Sequence, residues 1–398
     1  MAVSAPPIVA NLLEQAGTSR YAPDLSGKPA EVLTGFILNS PLVDYNSNCD
    51  MLYSTMNTGT SRSTCAGYIP AYAMTADYFT KSTKRGNKSQ EQYLDELRQF
   101  TRDTYLKTQA QYFDKATFEP TSAWTTFTAS DKGKTVLDSL ASYTGIPATT
   151  WNVNYNLAPD VFRGTLAGTS TIGTAVASAK SKLKSLGYSD LVINSYIYSE
   201  LTAEGGQYIA QHLGEDGLLS GFELGRYDAR MKVPANNAFP ADNYIDVAFK
   251  KQAQTYFPEY INYKSKSDYN LVNDDTIGNW KFARSSQDKV LPQSISDIQG
   301  VLMSNPNEKM LILHGYEDVA TPGFQTELDL EGVNLQKRIP VKWFEGGHMT
   351  YNTESSRAPL KATINKFYET PAGVYLNEAN PPTASATGAE TQLISAAR

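Results

Sequence analysis

Two short stretches near the C-terminal end carry residue types that move protons. Gly315-Tyr316-Glu317-Asp318-Val319-Ala320-Thr321-Pro322 sets a carboxylate three residues beyond a glycine, and Gly346-Gly347-His348-Met349 sets a histidine thirty residues after Asp318. Each follows an apolar run that reads as a buried strand, Lys309 to Leu313 and Arg338 to Phe344. A histidine takes and returns a proton best when a carboxylate fixes its tautomer and stabilises the imidazolium. His348 suits the first role and Asp318 the second. The double glycine lets the backbone turn tightly beneath His348, and Pro322 stiffens the acid loop. Glu317 has the same chemistry as Asp318 but reads as a solvated loop acid. His314, at a strand end, reads as structural, and His212 as a helix-face residue.

Such a pair serves a nucleophile, which needs a strained strand-to-helix turn of the form Gly-x-Ser-x-Gly. The chain contains no such pentapeptide. Ser4 has too few preceding residues for a strand and reads as an N-cap before Pro6-Pro7. Ser19 follows a helix, Ser170 lies in a Gly/Thr loop, and Cys49 and Cys65 lack an elbow. Arg226, Asp228 and Arg230 alternate in charge on a short segment, which reads as an intradomain ion-pair network rather than a substrate site.

The elements that position these residues are strands at the two ends and helices between. Pro6 to Gly17 predicts a helix with Ile8, Val9, Leu12 and Leu13 on one face. Val32 to Leu38 predicts a buried strand closed by Asn39-Ser40-Pro41. A Tyr-, Asn- and Ser-rich loop with both cysteines follows. Ser89 and Gln92 form a capping box ahead of Leu94, Leu97, Phe100 and Tyr105 at helical spacing. Asp131 to Tyr143 and Ala175 to Leu186 predict further helices. Late in the chain, Phe324 to Leu330 and the Leu360, Ile364, Phe367 periodicity predict helices after the two strands. Strands separated by helices imply parallel pairing. The expected fold class is α/β. A first core segment is expected over 1–69, a helical cap insertion over 70–220, a second core segment over 221–375, and a small, polar, disordered tail over 376–398.

The 398 residues can bury a large core. A net charge of −6 argues against a nucleic-acid partner or an anionic membrane surface, because both need a basic face. No apolar stretch nears the roughly 18 residues that span a bilayer. Two cysteines and three histidines, none at ligand spacing, argue against a structural metal, and nothing calls for a cofactor. Cys49 and Cys65 are sixteen residues apart; a disulfide and two free thiols both remain open.

The acid and histidine motifs also carry a family resemblance. Gly315-x-x-Asp318-x-x-x-Pro322 followed by Gly347-His348-Met349 resembles the C-terminal signature of the serine carboxypeptidase-like peptidases, a branch of the α/β-hydrolases. Phe36 to Asp44 is similar to the strand and loop after the family's nucleophile helix, and Ile69 to Tyr78 to the helix that opens its cap. Gly225 to Arg230 is similar to a Gly-Arg-x-Asp-x-Arg segment of bacterial members, and Asn279-Trp280 to a tryptophan segment. Ala10-Asn11-Leu12-Leu13 matches the end of the helix that follows the family's Gly-x-Ser-Tyr-Gly. Counting back about ten residues puts the serine at or just before Met1. The family's Gly-rich oxyanion loop has no counterpart here.

The resemblance implies an α/β-hydrolase-type parallel sheet with a helical cap, acting on a peptide or small ester or amide through an acyl-enzyme. His348 and Asp318 would be the catalytic residues, and the chain the C-terminal portion of a longer hydrolase whose N-terminal half is its partner. Family members are commonly exported, which a Cys49–Cys65 bridge would suit. A binding protein of the same fold without a nucleophile is the alternative.

Overall fold

The computed structural model describes residues 7–13, 33–49, 63–115, 117–166, 222–234, 243–265 and 293–371. In chain order these form helix α1 (residues 7–13), strand β1 (Gly35–Asn39), and helices α2 (Ile69–Tyr78), α3 (Gln90–Phe100) and α4 (Leu106–Tyr112). Helices α5 (Ala123–Ala129), α6 (Asp131–Thr144), α7 (Ala148–Val153) and α8 (Pro159–Leu166) come next. Strands β2 (Phe222–Leu224) and β3 (Lys232–Pro234) precede helices α9 (Asn243–Tyr260) and α10 (Ile295–Ser304). Strand β4 (Lys309–Gly315), helix α11 (Gly323–Gly332), strand β5 (Val341–Phe344) and helix α12 (Glu354–Glu369) close the series.

The chain divides into a sheet unit, Met1–Asn48 with Pro292–Arg398, and a helical unit, Cys49–Leu291. These seams differ from the composition shifts at 69/70 and 220/221. One reason is that β2 belongs with the helices: Arg163 on α8 donates to the Leu224 carbonyl at 2.8 Å.

In the sheet unit, β1, β4 and β5 pair in that order, all parallel, with Gly35 opposite Lys309 and Ile312 opposite Val341. The central strand β4 is buried along its whole length. Its side chains alternate between faces, as a strand's must. Met310 and Ile312 join Ala10, Leu38, Ile298, Val301 and Leu330 in one core, so α1, α10 and α11 cover that face. Leu311 and Leu313 pack with Phe344, Leu360 and Phe367 beneath α12 on the other. Helices on both faces of a parallel sheet make this an α/β unit. Lys309, at the start of β4, turns its Nζ to the Phe367 and Thr370 carbonyls at 2.6 and 2.7 Å, satisfying the end of α12.

Two expectations are corrected here. Strand β5 begins at Val341 rather than Arg338, because Arg338 and Ile339 both donate backward to the Leu335 carbonyl and Pro340 has no N–H. In α1 the buried residues are Pro7 and Ala10, whereas Val9, Leu12 and Leu13 are exposed. The approach to α10 is too close for large side chains: a Cβ on Gly300 would lie 2.6 Å from Asn11 Oδ1.

The helical unit follows its caps. Ser89 and Gln92 form the predicted reciprocal capping box on α3, and a π-helical turn at Thr101–Tyr105 leads into α4. Ser130 caps α6, which Gly145 ends at a left-handed φ of 68°. Cys49 and Cys65 form a disulfide rather than two free thiols. The helix expected at Ala175 to Leu186 and the tail 376–398 lie outside the described residues. No helix among the described residues is long and apolar enough to cross a membrane.

Candidate functional site

The C-terminal ends of all three parallel strands meet at His348, the edge of a sheet where α/β proteins place ligands. From β4, the loop at Tyr316–Pro322 folds around Asp318, which is fully buried. Its Oδ1 accepts from the Ala320 and Thr321 N–H groups at 2.9 and 3.0 Å. Its Oδ2 accepts from Thr321 Oγ1 at 2.8 Å and lies 3.0 Å from His348 Nδ1. From β5, Gly346 takes a φ of 123°, open to glycine, and carries the chain into His348. From β1, Asn39 Nδ2 and Ser40 Oγ donate to the His348 carbonyl at 2.9 and 2.7 Å. Thr350 Oγ1 in turn donates to Asn39 Oδ1 at 2.6 Å.

The two loops touch backbone to backbone. A Cβ on Gly315 would stand 2.2 Å from the carbonyl oxygens of both Gly346 and Gly347, so only glycine permits the contact. Glu317 fastens it. Its N–H donates to the Gly346 carbonyl at 3.0 Å, and its Oε2 accepts from the Gly346 N–H at 2.9 Å. Glu317 is therefore a buried acid rather than a solvated one, because the glycine turn leaves an N–H that needs an acceptor.

The structure brings Asp318 and His348 together across thirty residues of chain. Ser4, Ser19, Ser170, His212 and Asn279-Trp280 lie outside the described residues. The disulfide removes Cys49 and Cys65 as thiol nucleophiles. Of the network expected from Arg226, Asp228 and Arg230, the structure shows the Asp228–Arg230 ion pair, two-pronged with Nε and Nη2 at 3.0 and 2.7 Å from the carboxylate, while the Arg226 guanidinium lies over the Tyr227 ring. Ser40 is a residue the sequence did not single out. Its φ of 47° at the end of a strand is strained for a serine. Yet it is fully buried with its hydroxyl on the His348 carbonyl, so it acts as a brace and is not presented to a substrate. Thr321 was likewise missed, although Asp-x-x-Thr is a pattern that favours local side-chain bonds.

Two groups of the sheet unit have shifted acidities. His314 is wholly buried, and burial pushes its pKa down to about 4 despite the nearby Asp318. Its Nε2 lies 3.1 Å from Thr326 Oγ1, which donates to the Pro41 carbonyl; His314 is thus the donor to Thr326, a neutral structural ring. On α11, burial pushes the Asp329 carboxyl up to about 7. The contacts suit a protonated acid. Ser47 Oγ has one proton but two acceptors, the Asp44 carbonyl at 2.9 Å and Asp329 Oδ2 at 3.0 Å.

Among the described residues, no group of three or more His, Cys, Asp or Glu side chains is placed to hold a metal ion. No protein-family model, no curated protein and no solved structure matches the chain.

Proposed function

We propose that this chain carries the acid–histidine part of a serine carboxypeptidase-like hydrolase of the α/β-hydrolase fold. The observation that supports this reading is the 3.0 Å contact between Asp318 Oδ2 and His348 Nδ1 at the C-terminal ends of parallel strands. With Nδ1 turned to the carboxylate, Nε2 is the ring atom that takes the serine proton as the oxygen attacks the substrate carbonyl. Asp318 stabilises the imidazolium, which then protonates the leaving amine or alcohol as the acyl-enzyme forms. Water, deprotonated by the same nitrogen, attacks the acyl-enzyme and releases the acid and the free serine. In this reading the serine lies upstream of α1, whose Ala10 packs in the same core as β4.

The reading is tested by labelling the longest gene product containing this chain with a fluorophosphonate probe. Labelling of one serine is expected, abolished in His348→Gln and slowed by roughly 10³–10⁴ in Asp318→Asn. A folded product that no fluorophosphonate labels would overturn it in favour of a noncatalytic binding protein.

A further inference from the structure

We propose that Thr321 is a positioning residue for the Asp318–His348 pair, its hydroxyl sharing the Nδ1 proton of His348 with Asp318. The proposal rests on the reading of Asp318 and His348 as a proton-relay pair. Thr321 Oγ1 lies 2.8 Å from Asp318 Oδ2, 2.9 Å from His348 Nδ1 and 3.0 Å from the Ser40 carbonyl oxygen. A hydroxyl has one proton and two lone pairs. Carboxylate and carbonyl oxygens only accept, so the proton goes to one of them, and a charged acceptor binds it more strongly.

That choice leaves a lone pair of Thr321 facing Nδ1. If Nδ1 were bare, Thr321 would have to give its proton to the ring. Asp318 Oδ2 would then face two unshared lone pairs, from Oγ1 at 2.8 Å and Nδ1 at 3.0 Å. If Nδ1 carries the proton, all three atoms are satisfied at once. The triangle therefore selects the tautomer in which Nε2 accepts.

Thr321 also holds both carboxylate oxygens, with its N–H on Oδ1 at 3.0 Å and its hydroxyl on Oδ2, which fixes the plane of the acid. A turn alone requires only the first of these bonds. With Asp318 fully buried and Thr321 6% exposed, the contacts act where water competes little.

With only three histidines in the chain, the ring signals of His348 can be assigned in protein carrying ¹⁵N-histidine. The wild type is expected to show a low-field Nδ1 proton that exchanges slowly with water. Thr321→Val should speed that exchange at least tenfold or erase the signal, and Thr321→Ser should restore it. Exchange in folded Thr321→Val equal to wild type, with Asp318→Asn erasing the signal, overturns the role of Thr321 and spares the pair. A signal that survives Asp318→Asn overturns both. If circular dichroism finds Thr321→Val unfolded, the wild type decides: a cross-peak between the Thr321 hydroxyl proton and the His348 Nδ1 proton is expected, and its absence overturns the proposal.

Discussion

Burial moves the acidities of His314 and Asp329 in opposite directions. His314 titrates at about 4 when folded against 6.5 ordinarily, so the unfolded chain binds more protons between those values. Its contribution to stability is complete above about pH 6.5 and is lost as pH falls through 4, a displacement worth roughly 3 kcal/mol. Denaturant titrations across this window should show that loss, and His314→Gln should flatten it. Asp329 behaves in reverse. Its folded value of about 7 exceeds the ordinary 3.8, so its contribution is complete below 3.8 and lost as pH rises through 7. Asp329→Asn, which can donate to Ser47 and accept from Gln325, should stabilise the protein at pH 8 by on the order of 1 kcal/mol. An unchanged denaturation midpoint at pH 8 would count against a neutral Asp329.

At the scale of elements, the site depends on how closely two strand-end loops approach. Gly315→Ala places a methyl group on two backbone carbonyls that cannot move aside, because Glu317 and Gly346 are already hydrogen-bonded to each other. The expected cost is at least about 3 kcal/mol in urea denaturation. Gly332→Ala, in α11 with open space around it, should be neutral or stabilising by up to about 1 kcal/mol. Equal effects of the two would show that the loop contact does not govern stability. Much at this scale was legible in advance. The apolar run Lys309 to Leu313 and the Ser89/Gln92 spacing involve residues a few positions apart, so local pattern suffices. The start of β5 was not legible, since Arg338 and Ile339 turn back to Leu335 only once α11 has ended.

For the whole molecule, the disulfide joins Cys49 to Cys65 within the helical unit. Closing a loop of this length restricts the unfolded chain by about 3 kcal/mol. Reduction should therefore lower the melting temperature of the helical unit and leave the sheet unit, which contains neither cysteine, unaffected. A scanning-calorimetry trace unchanged by reductant would refute this. By itself the sequence determined the α/β alternation, the helix caps, and the candidate acid and histidine on their strand-end loops. Each is written in residue types whose spacing matches one strand or one turn. Only the tertiary structure decided that Ser40 braces His348, that Thr321 reaches Ser40, that Glu317 is buried and that the cysteines join. Ser40 lies 308 positions from His348 and 281 from Thr321, and they meet because β1 packs in register beside β4. No local pattern encodes a contact that the pairing of distant strands creates.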